Sequence, residues 1–370
     1  MKTLKDEKLR KFAQLLVERC LSLEKGDMVL IRTTPLALPL VKEVYRTALK
    51  KGAYPFIRAE LEGLKEIFLK DAPEEVLTFL SPFDLREQEK VNAILTIDAP
   101  YNTKELTGVA PERQVAWQKA RTPLSKIFME RDGRGDLHWC ITRYPNNAHA
   151  QDAGMSLEDY ADFVFSSLHL DEEDPIAYWD GVSKDQARLI SILEKGKEIR
   201  VLGRGTDLTL QVEGRKWINA DGRKNMPDGE IYTAPLEQSA NGYILFSFPA
   251  IYQGREVEGV RLVFQEGKVI KAEAQKGEEY LQRVLNIDEG ASYIGEFAFG
   301  TNYGIQKFTR DILFDEKIGG TLHIALGSAY PSTGGRNFSA IHWDMICDLR
   351  EDSEIRLDGE VIQRDSHWLI

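Results

Sequence analysis

The sequence predicts two domains of different class: an α/β domain over residues 1–185 and an α+β domain with a largely antiparallel sheet over residues 186–370. Three observations predict this arrangement. A chain of 370 residues is longer than one typical hydrophobic core supports. The first half alternates helical and strand-like segments, as parallel sheets with helical crossovers do. The second half alternates apolar and polar residues between turn signals, as antiparallel strands do.

Apolar residues at helical spacing predict the helices of the first half, and short apolar runs predict its strands. The expected elements are a helix over 6–23, a strand over 28–31, a helix over 37–51, and strands over 54–59 and 91–97. Residues 117–128 are interpreted as a helix that leads into a strand. The first strand is not followed by a G-x-G-x-x-G fingerprint, so dinucleotide binding is not indicated.

An acidic segment that ends in proline, LDEEDP, marks the change between the two halves at residues 170–175. A helix that begins at Ser183 is expected to follow it and to lead into a strand. From there GTDLTLQVEG, NGYILFSFP and VEGVRLVFQEGKVIKAEA have the period-two alternation of half-buried strands. We therefore place the domain boundary near residue 185.

Composition narrows the class of partners. Hydrophobic residues make up 42% of the chain, which is ordinary for a globular protein. The net charge of −11 is unsuited to binding the phosphate backbone of nucleic acids. We therefore expect no nucleic-acid partner.

The three cysteines are far apart in sequence and form no C-x-x-C pair, so we expect reduced thiols in a cytoplasmic protein. The charged, amphipathic N-terminal segment does not resemble a signal peptide, and there is no run of about 18 apolar residues. We therefore also expect no membrane partner.

The last third of the chain places metal-capable side chains in short, glycine-rich segments. The tightest group is IHWD at 341–344, where strand geometry would point His342 and Asp344 to the same side. An imidazole and a carboxylate aimed at one point suit a metal ion. The other candidates are Glu230, Glu296, His323 and Tyr330. Taken singly, each also fits a structural role: a solvated edge glutamate, an internal ion pair, a core histidine and a packing tyrosine.

Taken together, these segments resemble the thermophilic-aminopeptidase family of metallopeptidases, the group that includes aminopeptidases T and S. The resemblance rests on NMPDGEIYTAP, EGVRLVFQEGKVI, IGEFAFG, FDEKIGG, HIALGSAYPSTGG and NFSAIHWDMI, in that order. It covers the C-terminal half closely, whereas the first half agrees in general layout.

The resemblance implies a metal-dependent aminopeptidase, a hydrolase that removes the N-terminal residue of peptides with a free N-terminus. Two divalent ions are implied, zinc or cobalt, with manganese or magnesium as alternatives; such a pair activates water for hydrolysis. The implied ligands are Glu230, Glu296, His323, Tyr330, His342 and Asp344. Glu316 matches an acidic residue of the family and is either a further ligand or the catalytic carboxylate. Relatives are homodimers whose active sites open into an internal cavity, so a homodimer is implied as well.

Two other functions compete with this interpretation. A mononuclear iron dioxygenase of the same fold would use His323, His342 and Asp344 as a facial triad. A non-catalytic scaffold protein would have little reason to keep buried carboxylates, which are costly when unpaired. Serine-hydrolase and thermolysin-type motifs, G-x-S-x-G and H-E-x-x-H, do not occur in the sequence.

Overall fold

The computed structural model describes residues 4–370, which form two compact units. The first unit comprises Met1–Ile176 and the short segment Gly222–Pro227. The second comprises Ala177–Asp221 and Asp228–Ile370. In the described part of the chain, no helix combines the length and the hydropathy that a membrane span needs.

The first unit is built on a five-stranded parallel sheet. Its strands are β1 (Met28–Thr33), β2 (Tyr54–Ala59), β3 (Ala93–Asp98), β4 (His138–Arg143) and β8 (Asn225–Met226). They lie in the order β2-β1-β3-β4-β8, and each neighbouring pair is parallel. The α/β class predicted for the first half is therefore confirmed, as are the strands expected over 28–31, 54–59 and 91–97.

Nine α-helices of the described chain lie wholly in this unit and cover the sheet or connect its strands. They are α1 (Leu4–Gln14), α2 (Leu38–Lys50), α3 (Leu64–Asp71), α4 (Glu74–Leu77), α5 (Pro82–Lys90), α6 (Pro111–Ala120), α7 (Thr122–Arg134), α8 (Asn147–Asp152) and α9 (Leu157–Ser167). The helix expected over 6–23 is formed by α1 and a π-helical continuation, Leu15–Cys20. The strand expected near residues 117–128 is wrong, because α6 and α7 occupy that stretch.

The second unit contains all but the first two residues of α10 (Pro175–Leu193), which starts eight residues before the Ser183 start expected from the sequence. Its largest sheet has eight strands in the order β14-β13-β10-β6-β5-β18-β19-β20. These are β5 (Glu198–Gly203), β6 (Thr206–Gln211), β10 (Asn241–Leu245), β13 (Arg261–Gln265), β14 (Lys268–Glu273), β18 (Glu354–Leu357), β19 (Glu360–Arg364) and β20 (His367–Trp368). All its pairs are antiparallel, as expected for this half.

A second antiparallel sheet, of five strands, holds the segments singled out by the sequence. Its order is β17-β16-β15-β9-β7. The strands are β7 (Ile218–Ala220), β9 (Glu230–Thr233), β15 (Ile294–Gly300), β16 (Thr321–Gly327) and β17 (His342–Asp348). The remaining elements are the hairpin β11 (Ala250–Tyr252) and β12 (Arg255–Val257) and the helices α11 (Glu278–Leu285) and α12 (Ile312–Asp315).

Alternation along the five strands decides which side chains enter the core of the second unit. One face of the sheet contributes Ile231, Phe297, Phe299, Ile324 and Met345, all fully buried in a cluster shared with the eight-stranded sheet. Burial of such side chains contributes about 1.5–3 kcal/mol each. The intervening residues must therefore point to the opposite face.

Candidate metal centre

Strand register brings predicted ligands of three strands to that opposite face. Ala325 of β16 lies between Glu296 of β15 and Asp344 of β17. Side chains two residues apart on a strand point the same way, so His323 and His342 share this face. The pairing predicted for His342 and Asp344 in IHWD is confirmed as a shared face.

Glu230 reaches the same face from β9. It pairs with Gly300 of β15, while His323 of β16 pairs with Ala298. Because Glu296, Ala298 and Gly300 alternate along β15, all three point to this face. The small residues Ala298 and Gly300 on β15 leave room on this face for the side chains of the neighbouring carboxylates and imidazoles.

Glu316 arrives from outside the sheet, at the end of α12. A Cβ on Gly300 would lie 2.2 Å from the carbonyl oxygen of Ile318, so the segment after Glu316 packs directly on β15. Asp315 holds the segment from the other side, because its carboxylate accepts bonds from the backbone nitrogen and the hydroxyl of Thr309 at 2.7 and 2.9 Å. Asp315 therefore has a structural role, and its neighbour Glu316 turns toward the ligands.

Glu296 lies between two imidazoles. Its Oε1 is 3.4 Å from Nε2 of His323, and its Oε2 is 3.2 Å from Nε2 of His342. Asp344 Oδ1 is 3.4 Å from the same Nε2 of His342. Ligand atoms of Glu296, His323 and Asp344 all lie within 4.8 Å of one another, a separation that one cation can span.

A second group overlaps the first through His323. It contains Glu230, Glu316 and His323, whose ligand atoms also lie within 4.8 Å of one another. Glu230 Oε2 is 3.7 Å from His323 Nε2. Two overlapping groups of three ligands provide more donor atoms than one ion of tetrahedral preference requires.

The histidines are oriented for ligation through Nε2. Nδ1 of His323 is 3.0 Å from the backbone oxygen of Glu316, and Nδ1 of His342 is 2.9 Å from the backbone oxygen of Ser328. A carbonyl can only accept, so each Nδ1–H donates, and Nε2 carries the lone pair when the ring is neutral. This is the usual arrangement of metal-bound histidine, in which the outer nitrogen is held by a carbonyl or carboxylate.

Two buried carboxylate oxygens have no hydrogen-bond partner within residues 4–370: Oε2 of Glu230 and Oδ1 of Asp344. Each belongs to a different group of three. A buried carboxylate oxygen left without a partner is costly, and metal coordination is one of the few ways to offset that cost. The buried set of histidine nitrogens and carboxylate oxygens therefore fits divalent cations.

In the metal-free cluster, the protonation state of each group depends on its burial and on the charges of its close neighbours. Burial lowers the pKa of His323 and His342, but the neighbouring carboxylates outweigh burial and raise these pKa values to about 9 and about 11. Burial raises the pKa of Glu296 and Asp344, yet their attraction to the nearby histidines brings both pKa values below the usual ones. Glu230 is different, because burial raises its pKa well above the ordinary range.

Comparison with known proteins decides the family. The model of the thermophilic metalloprotease family (M29) matches residues 5–362. The chain belongs to this family. It is 31% identical to aminopeptidase T of Thermus thermophilus over 353 residues, 87% of this chain and 85% of that protein. It is 27% identical to aminopeptidase 2 of Geobacillus stearothermophilus over 98% of both chains.

A solved member of the family has the same fold. Wild-type AmpT from Thermus thermophilus superposes with a TM-score of 0.83 at 27% identity, covering 98% of this chain and 99% of that one. The metallopeptidase resemblance stated from the sequence is therefore confirmed. The dioxygenase alternative finds no support in these relatives.

Tyr330, the sixth ligand implied by the M29 resemblance, lies in the loop after β16. Its ring packs against His342 at 5.2 Å and against Tyr232 at 5.6 Å between centroids. Burial raises the pKa of its phenol, and Glu296 and Asp344 raise it further. The contacts place Tyr330 beside the cluster through its ring, and its role as a ligand stays a prediction.

Three residues of the site are missing from the prediction. Lys317 is fully buried and its ammonium contacts Glu316. Burial lowers the pKa of Lys317, but Glu316, Glu230 and Asp228 outweigh it and raise the pKa above its usual value. Asp228 is buried in the turn before β9, and Tyr232 follows Glu230 on the same face. A lysine between FDE and a glycine pair is the one signal that sequence could have offered, since burial there requires a counter-charge.

Proposed function

We propose that this M29 protein is a metal-dependent aminopeptidase that removes the N-terminal residue of peptides through two divalent ions, zinc or cobalt. The observation that carries the proposal is the pair of overlapping ligand groups that share His323, each with one buried carboxylate oxygen that has no hydrogen-bond partner among residues 4–370. The relatives named above, aminopeptidase T and aminopeptidase 2, supply the substrate class.

Charge supports two ions rather than one. Five carboxylates crowd this interior: Asp228, Glu230, Glu296, Glu316 and Asp344. The buried ammonium of Lys317 compensates one of them, and neutral histidines compensate none. With all five carboxylates ionised, two divalent cations would neutralise the four charges that Lys317 leaves, whereas a single one would leave two carboxyl groups either charged at a cost of several kcal/mol each or protonated.

The residues that would hold the ions are Glu230, Glu296, His323, His342 and Asp344, with Tyr330 as the sixth implied ligand. When bound, the ions would lower the pKa of water and polarise the carbonyl of the scissile bond. Glu296 offers one oxygen to each histidine-lined side, which is the arrangement that a shared carboxylate needs. The backbone oxygens on Nδ1 keep both imidazoles turned toward the cluster.

Glu316 is proposed as the carboxylate that moves the proton from water to the departing amine. Burial raises its pKa above the ordinary glutamate value, and the charge on Asp344 adds to this, while Lys317 opposes it. A raised pKa lies closer to neutral pH, and general acid–base catalysis is most effective when the pKa of the catalytic group is near the operating pH. The contact with Lys317 also fixes the position of one carboxylate oxygen.

Metal content and substrate preference test this proposal together. We expect two divalent ions per chain by elemental analysis, loss of activity with chelator, and recovery with zinc, cobalt or manganese. A matched pair of peptides, one with a free and one with an acetylated N-terminus, should differ strongly in rate. One iron per chain with oxygen consumption, or equal rates on the two peptides, would contradict the proposal.

A further inference from the structure

The loop 331–336 follows Tyr330 and is bonded to the backbone on both of its sides. The backbone nitrogen of Lys216, in the segment between β6 and β7, donates to the carbonyl of Thr333 at 3.0 Å. Thr333 in turn donates twice to the carbonyl of Tyr330, from its backbone nitrogen at 3.0 Å and from its hydroxyl at 2.7 Å. A displacement of Thr333 would therefore displace Tyr330 as well.

A buried ion pair holds the second half of this loop. Arg215 is 9% exposed, and its guanidinium donates to the backbone oxygens of Gly334 and Pro235. It also pairs with Glu237, at 2.7 Å between Nη2 and Oε2. The other carboxylate oxygen of Glu237 accepts the backbone N–H of Arg336 at 2.7 Å. The two side chains therefore bond to the loop at residues 334 and 336.

Close packing couples the loop to the residue before Tyr330. Gly335 lies between the two bonded positions, and a Cβ on it would be 2.5 Å from the Cβ of Ala329 and 2.6 Å from the Cβ of Ala234. The backbone N–H of Ala329 also donates to the carbonyl of Asn337 at 2.9 Å. The loop and the backbone that carries Tyr330 therefore move together or not at all.

Stability is a weak explanation for the buried pair of Arg215 and Glu237. Taking two charges out of water is costly, and their attraction often does no more than offset that cost. Geometry is a better explanation. A guanidinium presents five N–H donors in a rigid planar fork, so it fixes the directions of several acceptors at once. Arg215 uses this fork for acceptors on two separate segments, the loop and the residues after β9.

We propose that Arg215 and Glu237 are positioning residues of the metal centre, because they hold the loop 331–336 and thereby keep Tyr330 against His342. The ring of Tyr330 packs on that of His342 at 5.2 Å between centroids, so its place depends on where the loop begins. The pair acts through the backbone of the loop and not through contact with substrate. The expected effect on catalysis rests on the proposed function, whereas the anchoring of the loop does not.

Limited proteolysis of the metal-free chain tests the anchoring. Arg336 is exposed on the loop, so trypsin should cleave after it whenever the loop opens. Arg215→Met removes the hydrogen bonds of a charged donor. We therefore expect cleavage after Arg336, identified by mass spectrometry, to become at least about tenfold faster.

Arg200→Met is the matched control for this measurement. Arg200 forms two hydrogen bonds with Asp207, at 2.9 and 2.8 Å, and joins β5 to β6. The variant loses the same kind of ion pair at a place that does not hold the loop. Cleavage after Arg336 and kcat should therefore match those of the wild type.

A double-mutant cycle tests whether Arg215 acts through Tyr330. In the metal-loaded enzyme, Arg215→Met should lower kcat by about 10- to 100-fold, the usual effect of losing an outer partner of a metal site. In the Tyr330→Ala background the same change should lower kcat by less than about twofold, because the side chain that it positions is already missing. A purely structural role would lower kcat by the same factor in both backgrounds.

Glu237→Ala is a second variant in case Arg215→Met does not fold, since the Glu237 side chain is 29% exposed and its removal disturbs less of the core. It should also speed cleavage after Arg336. Unchanged cleavage in the folded variants, or equal loss of kcat in both backgrounds of the cycle, would overturn the inference. A wild type without aminopeptidase activity would instead contradict the proposed function, and proteolysis of the metal-free chain would still decide whether the pair holds the loop.

Discussion

The two faces of the five-stranded sheet are made from the same strands but differ in what burial costs. On one face Phe297 and Phe299 pack in an aromatic group with Trp217, at centroid distances of 5.1–6.3 Å. On the other face Glu296 and His323 are equally buried. Burial of the aromatic side chains stabilises the fold, whereas burial of the ionisable ones costs free energy unless a partner offsets it.

The comparison shows how one strand period can build a core and a site together. Because side chains alternate along a strand, residues 297, 299 and 324 enter the core while residues 296 and 323 point to the opposite face. A shift of the strand register by one residue would exchange the two sets. The core face therefore holds the register that the polar face needs. Substitutions on the core face should therefore mainly lower stability. Substitutions on the polar face should mainly lower metal binding and catalysis.

The largest effect is expected from Glu296→Gln on the polar face. The amide keeps the shape but removes the charge that lies between His323 and His342. We expect metal content to fall and activity to drop by far more than the 10–100-fold typical of changing an outer partner of a metal ligand. Elemental analysis and peptide turnover measure this, and full metal content with near-normal turnover would show that Glu296 is not a ligand.

Glu316→Gln should separate proton transfer from ligation. If Glu316 handles the proton, the variant keeps its metals and kcat falls by about 10²- to 10⁴-fold, the usual contribution of general acid–base catalysis. If Glu316 is a ligand, metal occupancy falls first and added metal partly restores the rate. Normal kcat with full occupancy would assign Glu316 neither role.

Much of this contrast between faces could be predicted from the sequence. The H-x-D spacing and the period-two alternation were sufficient to place His342 and Asp344 on one side of a strand, as the structure shows. Glu230 was expected at the start of a strand after a turn, and β9 begins there. Local period and turn chemistry decide these features, so they are readable without knowledge of the fold.

Contacts that depend on the approach of separate segments could not be predicted. Lys317 is buried because its segment packs across Gly300, a neighbour in space but 17 residues away in sequence. The strand expected near residue 128 failed for a related reason, since a mixed apolar stretch there continues as α7. Short apolar runs do not distinguish a strand from a helix until tertiary packing decides.

On the core face, Phe299→Ala should destabilise the second unit. Phe299 is fully buried, stacks with Trp217 at 5.9 Å and meets Trp368 edge-on at 5.3 Å. Loss of a buried phenylalanine typically costs about 3–5 kcal/mol, because a cavity remains. Denaturant midpoints of the metal-free chain measure the cost, and a loss below about 1 kcal/mol would mean that the core repacks around the gap.

Metal uptake should release protons. In the metal-free chain the pKa values of His323 and His342 are raised to about 9 and about 11, so both rings are protonated at pH 7. Ligation requires neutral rings, so affinity should weaken as pH falls. Calorimetry in buffers of different ionisation enthalpy should detect at least about one proton from each histidine, and zero release would contradict the raised pKa values.

The same titration predicts the pH dependence of stability without metal. The unfolded histidine pKa is about 6.5, below the folded values. The stabilisation from the charged rings should therefore be complete below about pH 6.5 and disappear as the pH rises through about 9 for His323. Thermal unfolding of the chelated protein across this range measures the trend, and stability that rises over the same interval would contradict it.

The smallest effect on stability, and the sharpest contrast with Phe299, is expected for Glu230→Gln in the metal-free chain. Oε2 of Glu230 is buried without a hydrogen-bond partner in the described part of the chain, and burial raises the pKa of Glu230 well above the ordinary value. Replacing such a group with an amide of the same shape removes the cost of ionising a buried carboxyl and does not open a cavity. The melting temperature should therefore stay the same or rise slightly, in the way that replacing buried charges is often neutral or stabilising.

With metal present the effect of Glu230→Gln on the melting temperature should reverse, since the variant loses a ligand oxygen and the stabilisation that bound metal provides. A marked loss of stability in the metal-free variant would mean that Glu230 already has a stabilising partner in the folded chain, and the two faces would then differ less than their burial suggests.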